Sequence, residues 1–439
     1  MQESSKPSQA AQRQKSNSEQ VQRQEFASLG LAWQSEHQLK APTYFIYADD
    51  TLNAQAALKW VRQGVAIVWQ GDYHQAKQLL AAMARQIDKS KKRKASPESA
   101  NERFNLYRLA QGQKAQLLNS LLLRIHYSTT EGFQIMARRA PDIQEAAKAA
   151  WKSGDTSFNH DINQEVGQAV GKGVTPNINH DINQEAAQAV TQVVGQEGSD
   201  FIVSLRELLG VIGAWEWRKK GLWIEALQAK IYPFYGVFAP VRGEYLDLMM
   251  HPPLPSPCKL GVDIGSGTGV LSAILARRGV ERVIATDTSA RAVACTKFNL
   301  GQLSLSAQVE VRAQSLFPDE QADLIVCNPP WLPSKSASSL EAAVYDPHSR
   351  MLKGFLQGAR QHLSAHGQAW LIISDLAEHL GLRSREELLQ WIEEAGLQVL
   401  DRYDTRPKHA KAFKQEDPLY HARSAEVTSL WVLDRRDAG

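Results

Sequence analysis

Cysteine is scarce in this chain. The three present, Cys258, Cys295 and Cys327, are odd in number, far apart and without CxxC spacing, which argues against both a disulfide framework and a thiolate zinc site. A reducing compartment follows. Charge bias is also missing: 50 Lys+Arg against 47 Asp+Glu leave +3, too even a balance to announce a polyanionic partner. No uninterrupted apolar run is long enough to span a bilayer, and the opening "MQESSKPSQAAQRQKSNSEQVQRQ" lacks the apolar core of a signal peptide. These absences predict a soluble cytoplasmic protein with no membrane partner. What is present is an ordinary globular balance, 43% hydrophobic and 22% charged over 439 residues, with room for two or three domains.

Residues 1–24 are rich in Gln and Ser and read as a disordered tail. Residues 40–152 read as an α+β accessory domain that recognises substrate. It has a strand at "VAIVW", a helix carrying Ala76, Leu79, Leu80, Met83 and Ile87, and a second long amphipathic helix through "NLYRLAQGQKAQLLNSLLLRIHY". Pro141-Asp142 opens a further helix through Trp151. Within residues 153–200, "FNHDINQEVGQAV" is echoed by "INHDINQEAAQAV". Two copies are too few for a solenoid. His160, Asp161, His180 and Asp181 read as solvated residues of a duplicated polar insertion, so no metal site is assigned. Residues 201–231, which resume helical spacing at "FIVSLRELLGVIGAWEWRKKGLW", read as a helical connection.

From residue 232 to 436 strand-like and helix-like segments alternate, which predicts an α/β domain with a doubly wound, mostly parallel sheet. Its first βα unit is "VDIGSGTGVLS". Gly265, Gly267 and Gly269 let the chain turn tightly and let a ligand approach the backbone. The spacing is GxGxG rather than the GxGxxG of pyrophosphate binders, and Asp263 just before it opposes a phosphate. An ammonium fits better. One strand later Asp287 ends "VIATD", where a carboxylate accepts both hydroxyls of a ribose. An adenosyl group, an ammonium and no pyrophosphate together describe S-adenosylmethionine.

On these residues the segment resembles the class I S-adenosylmethionine-dependent methyltransferases, whose fold is a seven-stranded, mostly parallel sheet with an antiparallel last strand. The resemblance implies that the three glycines pass the methionine moiety, that Asp263 lies near its ammonium and that Asp287 holds the ribose. The acidic residue that usually meets adenine after the third strand is absent; "AQSLF" places Gln314 and Ser315 there.

The fourth strand of the domain, "ADLIVC", ends abruptly in Asn328-Pro329-Pro330-Trp331. Proline has no N–H and the residue before it is held extended, so the carbonyls here are fixed in direction. The Asn328 side-chain oxygen and the Pro329 carbonyl offer two acceptors for the hydrogens of a planar NH2 group, with Trp331 to stack on its plane. This is the (N/D/S)PP(Y/F/W) signature of methyltransferases acting on conjugated nitrogen: nucleobase exocyclic amines or glutamine amides. Two flanking segments resemble those of the release-factor glutamine methyltransferases. "FAPVRGEYLDLM" implies that Arg242 and Glu244 lie near the cofactor, and "VYDPHSRMLKGFL" that Tyr345, Asp346 and Pro347 wall the substrate pocket. An added N-terminal domain is the arrangement of ribosomal RNA guanine methyltransferases. The expected acceptor is therefore a macromolecule, either RNA or DNA or a translation-related protein.

Lys89, Lys91, Lys92, Arg93 and Lys94, with Arg406, Lys408, Lys411 and Lys414, are either phosphate contacts or solvated charge. A methyltransferase-like protein that binds cofactor or RNA without catalysis is the alternative reading.

Overall fold

The computed structural model describes residues 22–36, 39–89, 97–151, 198–241, 243–336, 339–407 and 414–436. The duplicated insertion lies outside the described residues, as do Arg242, Lys91, Lys92, Arg93, Lys94, Lys408 and Lys411. So does the tail up to residue 21.

The N-terminal sheet is built from β1 (Gln24–Glu25), β2 (Ala32–Gln34), β3 (Tyr44–Ala48), β4 (Val65–Trp69), β5 (Leu121–Ser128), β6 (Gly132–Ile135) and β7 (Ser199–Ser204). Its order is β1-β3-β4-β5-β7-β2, with β6 on β5. The strands β3, β4 and β5 run parallel, as the intervening helices Ala54–Arg62, Tyr73–Lys89 and Ala100–Leu118 require. One face packs Ile67, Trp69, Leu121 and Phe201 under helices; the other buries Phe45, Val68 and Ile202 beneath Phe26.

Two segments differ from the sequence reading. Leu121–Ser128 is a strand where a helix is expected to continue, and Ser199–Ser204 is a strand before the helix Leu205–Lys220 begins. Both are central, and residues 121–123 and 201–203 are covered on both faces: Leu121, Leu122, Leu123, Phe201, Ile202 and Val203 are all 0% exposed. A strand buried on both sides shows no alternation, so its apolar run reads equally as a buried helix. The accessory sheet thereby takes in residues on both sides of the insertion, and the helix expected only to connect packs Leu205, Leu208 and Val211 into the same core.

Glu207, on that helix, is 3% exposed. Its Oε1 accepts the Glu36 N–H at 2.9 Å, while Oε2 is buried without a partner. Burial, opposed by that amide and reinforced by the Glu36 carboxylate, pushes its carboxyl from 4.5 up to about 7. The native state therefore binds the proton more tightly than the unfolded chain, and stability falls as pH rises from the unfolded value through the folded one. Glu207→Gln is expected to stabilise the protein by about 3 kcal/mol at about pH 8 and to be near neutral at about pH 5. Urea unfolding of both proteins at the two pH values checks this; equal shifts at both would reject it.

After the hairpin β8 (Leu222–Ile224) and β9 (Ala229–Ile231) comes the second sheet. Its strands are β10 (Leu260–Ile264), β11 (Arg282–Asp287), β12 (Val309–Ala313), β13 (Ala322–Cys327), β14 (Leu363–Ser374), β15 (Leu397–Thr405) and β16 (Thr428–Arg435). The order is β12-β11-β10-β13-β14-β16-β15, parallel except for β16, which is antiparallel to both its neighbours. This is the expected doubly wound, mostly parallel sheet of seven strands.

Alternate residues of β13 serve opposite cores. Leu324 and Val326 pack with the helix Val270–Arg277, and Ile325 and Cys327 with the helix Arg350–His362. All four are 0% exposed, each aliphatic side chain contributing about 1.5–3 kcal/mol by burial. That packing makes the strand end a fixed platform. Among the described residues no helix is long and apolar enough to cross a membrane.

Candidate active site

The sheet register assembles the site. Ile264 pairs with Cys327 on one side and with Thr286 on the other, so the next residue along each chain, Gly265, Asn328 and Asp287, stands at one level. Adjacent strands lie about 5 Å apart. Glycine turn, clamp and ribose carboxylate thus form one row at the carboxyl edge of β13, β10 and β11, where open α/β sheets bind ligands.

The turn is held from beneath. Gly265 and Ser266 donate their N–H groups to the Thr286 carbonyl at 2.9 and 3.0 Å. From the helix Ala290–Gln302, Thr296 Oγ1 donates to Gly267 O at 3.1 Å and Asn299 Nδ2 to Thr268 O at 3.0 Å. Neither residue is singled out by a sequence motif; one helical turn between a Thr and an Asn is their only signal. Gly267 has φ of +56°, and a Cβ there would meet nothing nearer than a backbone oxygen at 3.9 Å. Space is open above it. At Gly265 a Cβ would lie 2.6 Å from Met351 Cε, so Met351 is a further side chain at the turn that the sequence does not reveal.

Asp263 is fully buried. Its Oδ2 accepts both the Ser272 N–H at 2.9 Å and the Ser272 hydroxyl at 2.5 Å, but Oδ1 is buried with no partner. Burial, with Asp287 adding to it and Ser272 opposing, pushes the carboxyl up to about 6. A buried, unpartnered carboxylate oxygen is costly unless a cation meets it. The ammonium of S-adenosylmethionine fits that oxygen. Asp287 accepts the Gly267 N–H on Oδ2 at 3.0 Å and the Ser289 N–H on Oδ1 at 2.9 Å. Burial raises its carboxyl above the ordinary value, and each oxygen keeps a lone pair for a ribose hydroxyl.

Gln314 and Ser315 do not replace the missing acid in an obvious way. The Gln314 amide donates to Phe317 O at 2.7 Å, and Ser315 is exposed.

In the clamp, Trp331 Nε1 donates to Asn328 Oδ1 at 2.9 Å. The indole therefore fixes which amide atom of Asn328 is the oxygen, a role that phenylalanine at this position lacks. Trp331 also meets Tyr245 edge-on, with ring centroids 6.4 Å apart. Pro329 is buried and Pro330 partly so. Beyond the clamp the chain folds back: Leu332 N–H donates to Val344 O at 3.1 Å, and Asp346 N–H to Leu332 O at 2.8 Å. Asp346, 5% exposed, accepts the Met351 and Leu352 amides at the start of the helix Arg350–His362. Tyr345, Asp346 and the adjoining Pro347 therefore sit beside the clamp.

Glu244 starts the helix Glu244–Leu248, which carries Tyr245. It lines a cavity of about 360 Å³ with Trp223, Glu225 and Asp247; the glycine turn and the clamp do not line it. Burial pushes Cys258 up to about 11, Cys295 up to about 12 and Cys327 well above its usual value. None is a thiolate nucleophile near neutral pH.

Residues 236–394 match the methyltransferase small domain family. Among curated relatives, the release factor glutamine methyltransferase of Cereibacter sphaeroides is 31% identical over 27% of this chain and 48% of its own length. The tRNA1(Val) (adenine(37)-N6)-methyltransferase of Parabacteroides distasonis is 26% identical over 39% of this chain and 75% of its own length. Among solved structures, the ribosomal protein L11 methylase of Lactobacillus delbrueckii subsp. bulgaricus aligns with 18% identity over 46% of this chain and 82% of that chain, at a TM-score of 0.31. The chain spans about half, or less, of the length of the first curated relatives it matches.

Proposed function

We propose that this protein is an S-adenosylmethionine-dependent N-methyltransferase of the cytoplasm, acting on a planar amino or amide nitrogen of a translation-related macromolecule. The acceptor is a nucleobase exocyclic amine or a protein glutamine amide, the two chemistries named by the relatives above. The observation that carries this reading is the row of Asn328, Gly265 and Asp287 at one sheet edge, with the unpartnered Asp263 oxygen just below it.

S-adenosylmethionine, when bound, supplies a methyl group already activated on a sulfonium. The chain has correspondingly little acid–base work to do. Asp263 Oδ1 accepts from the ammonium, Asp287 from the ribose, and Gly267 leaves its backbone open to close approach. The Asn328 oxygen and the Pro329 carbonyl accept the two hydrogens of the acceptor NH2 group, which favours a lone pair free for attack. Trp331 supplies a wall with one fixed orientation. Tyr345, Asp346 and Pro347 belong to the acceptor side.

The test uses a lysate lacking this protein, incubated with the purified full chain and tritiated S-adenosylmethionine, then separated into RNA, DNA and protein. Label in one macromolecular fraction is expected, and that fraction decides between base and glutamine. Cofactor binding by calorimetry with no label in any fraction would overturn the transferase reading.

A further inference from the structure

The helix Ala100–Leu118 belongs to the accessory domain, whose core takes its last residues Leu117 and Leu118. Nearer its start it faces the other domain. Asn101, Phe104 and Arg108 recur at helical spacing and share one face. Asn101 Nδ2 donates to Gly381 O at 2.9 Å. Phe104, 1% exposed, lies in one cluster with Leu332, Leu380 and Leu419. Arg108 meets the loop that follows the clamp.

One guanidinium holds that loop at three places. Arg108 Nη2 donates to Lys335 O at 2.6 Å, Nη1 donates to Glu341 Oε2 at 3.2 Å, and the plane covers the Tyr345 ring at 3.8 Å from its centroid. These contacts fall near the beginning, late in and at the end of residues 332–345. Tyr345 in turn sits between Val344 and Asp346, the two residues that hydrogen-bond Leu332. Leu332 directly follows Trp331, whose indole is bound to Asn328. The path from Arg108 to the clamp is therefore a few packed residues long.

We propose that Arg108 is a positioning residue for methyl transfer, latching Lys335, Glu341 and Tyr345 so that Trp331 and Asn328 face the acceptor nitrogen. The acceptor site is then composite, with the accessory domain holding its outer wall. This rests on the acceptor-side role given above to the clamp and Tyr345. Lysine cannot substitute fully, because one ammonium does not combine two directed donors with a flat face for the ring.

The experiment compares full-length wild type, Arg108→Ala and Arg108→Lys. In Arg108→Ala the amides of residues 332–336 and 339–346 are expected to exchange about tenfold faster with deuterium, with S-adenosylmethionine affinity unchanged within about twofold. Transfer into the fraction that wild type labels is expected to fall about tenfold to a hundredfold at saturating cofactor, with partial recovery in Arg108→Lys. Should Arg108→Ala fail to fold, Tyr345→Leu removes the stack from the other side and is expected to give the same exchange pattern. Wild-type exchange across residues 332–336 and 339–346 in a folded variant overturns the latch. If wild type binds cofactor yet labels no fraction, the transferase reading fails, and the exchange comparison still decides whether Arg108 orders the loop.

Discussion

Asn328→Ala is expected to lower methyl transfer by about 10²–10³-fold, the loss typical of removing one preorganised polar group from a reacting centre, while leaving S-adenosylmethionine affinity within about twofold. The reason lies in what the side chain holds. Its oxygen already accepts the Trp331 indole N–H at 2.9 Å, which orients the amide and leaves a second lone pair for a hydrogen of the acceptor. Alanine removes that acceptor and also releases Trp331, so both the hydrogen bond and the wall of the pocket are lost together. Two companions separate the contributions. Trp331→Phe keeps a ring and frees the amide, and about tenfold loss is expected. Asn328→Asp keeps an oxygen for the indole and another for the acceptor, so it is expected to retain most of the rate. Tritium transfer into the labelled fraction, with calorimetry for cofactor, provides both readouts. Wild-type transfer in Asn328→Ala would exclude the clamp chemistry.

The sequence makes this row readable because each of its members is a local exception to strand grammar. Three glycines follow "VDI" and Pro-Pro-Trp follows "LIVCN", each needing a backbone that a βα turn or a strand end supplies, and a carboxylate ends the apolar "VIAT". Their common level at the sheet edge follows once the strand order is known, since parallel strands of this fold share one carboxyl edge.

What the sequence does not carry is of two kinds. Residues 121–123 and 201–203 are buried on both faces, so these apolar runs have no period with which to choose strand over helix. In the first case only Asn119-Ser120 separates the run from the preceding helix, with no Gly or Pro to mark the break. The second kind is contact at a distance. Arg108 on Tyr345, and Arg291 bound to Glu36 at 3.1 Å and to Ala150 O at 3.1 Å, join the two domains through single charged side chains. Arginine on a helix is ordinarily solvated, and nothing within a helical turn of either residue distinguishes it from that ordinary case.

Asp263 is expected to make cofactor binding pH-dependent in the opposite sense to its effect on stability. Its carboxyl is raised from 3.8 to about 6 by burial, with Asp287 reinforcing, and its free Oδ1 can hold an ammonium only when ionised. Below about pH 6 the cofactor-free protein carries a proton that must leave on binding, so S-adenosylmethionine affinity is expected to fall about tenfold per pH unit there. Near pH 6, calorimetry in two buffers of different ionisation enthalpy is expected to show release of about half a proton. Asp263→Asn removes the charge that pairs with the ammonium; a loss of about 10²–10³-fold in affinity is expected, along with the pH dependence. Stability runs the other way. Because the folded value lies above the unfolded one, stability is greatest below the unfolded value and is lost as pH rises through about 6. At about pH 7, without cofactor, Asp263→Asn is therefore expected to be more stable than wild type by about 3 kcal/mol. A variant that is harder to unfold yet binds poorly marks a carboxylate kept charged for its ligand against the preference of the fold. Equal cofactor affinity in wild type at about pH 5 and about pH 7, or a destabilised Asp263→Asn, would show that the oxygen is not waiting for a cation.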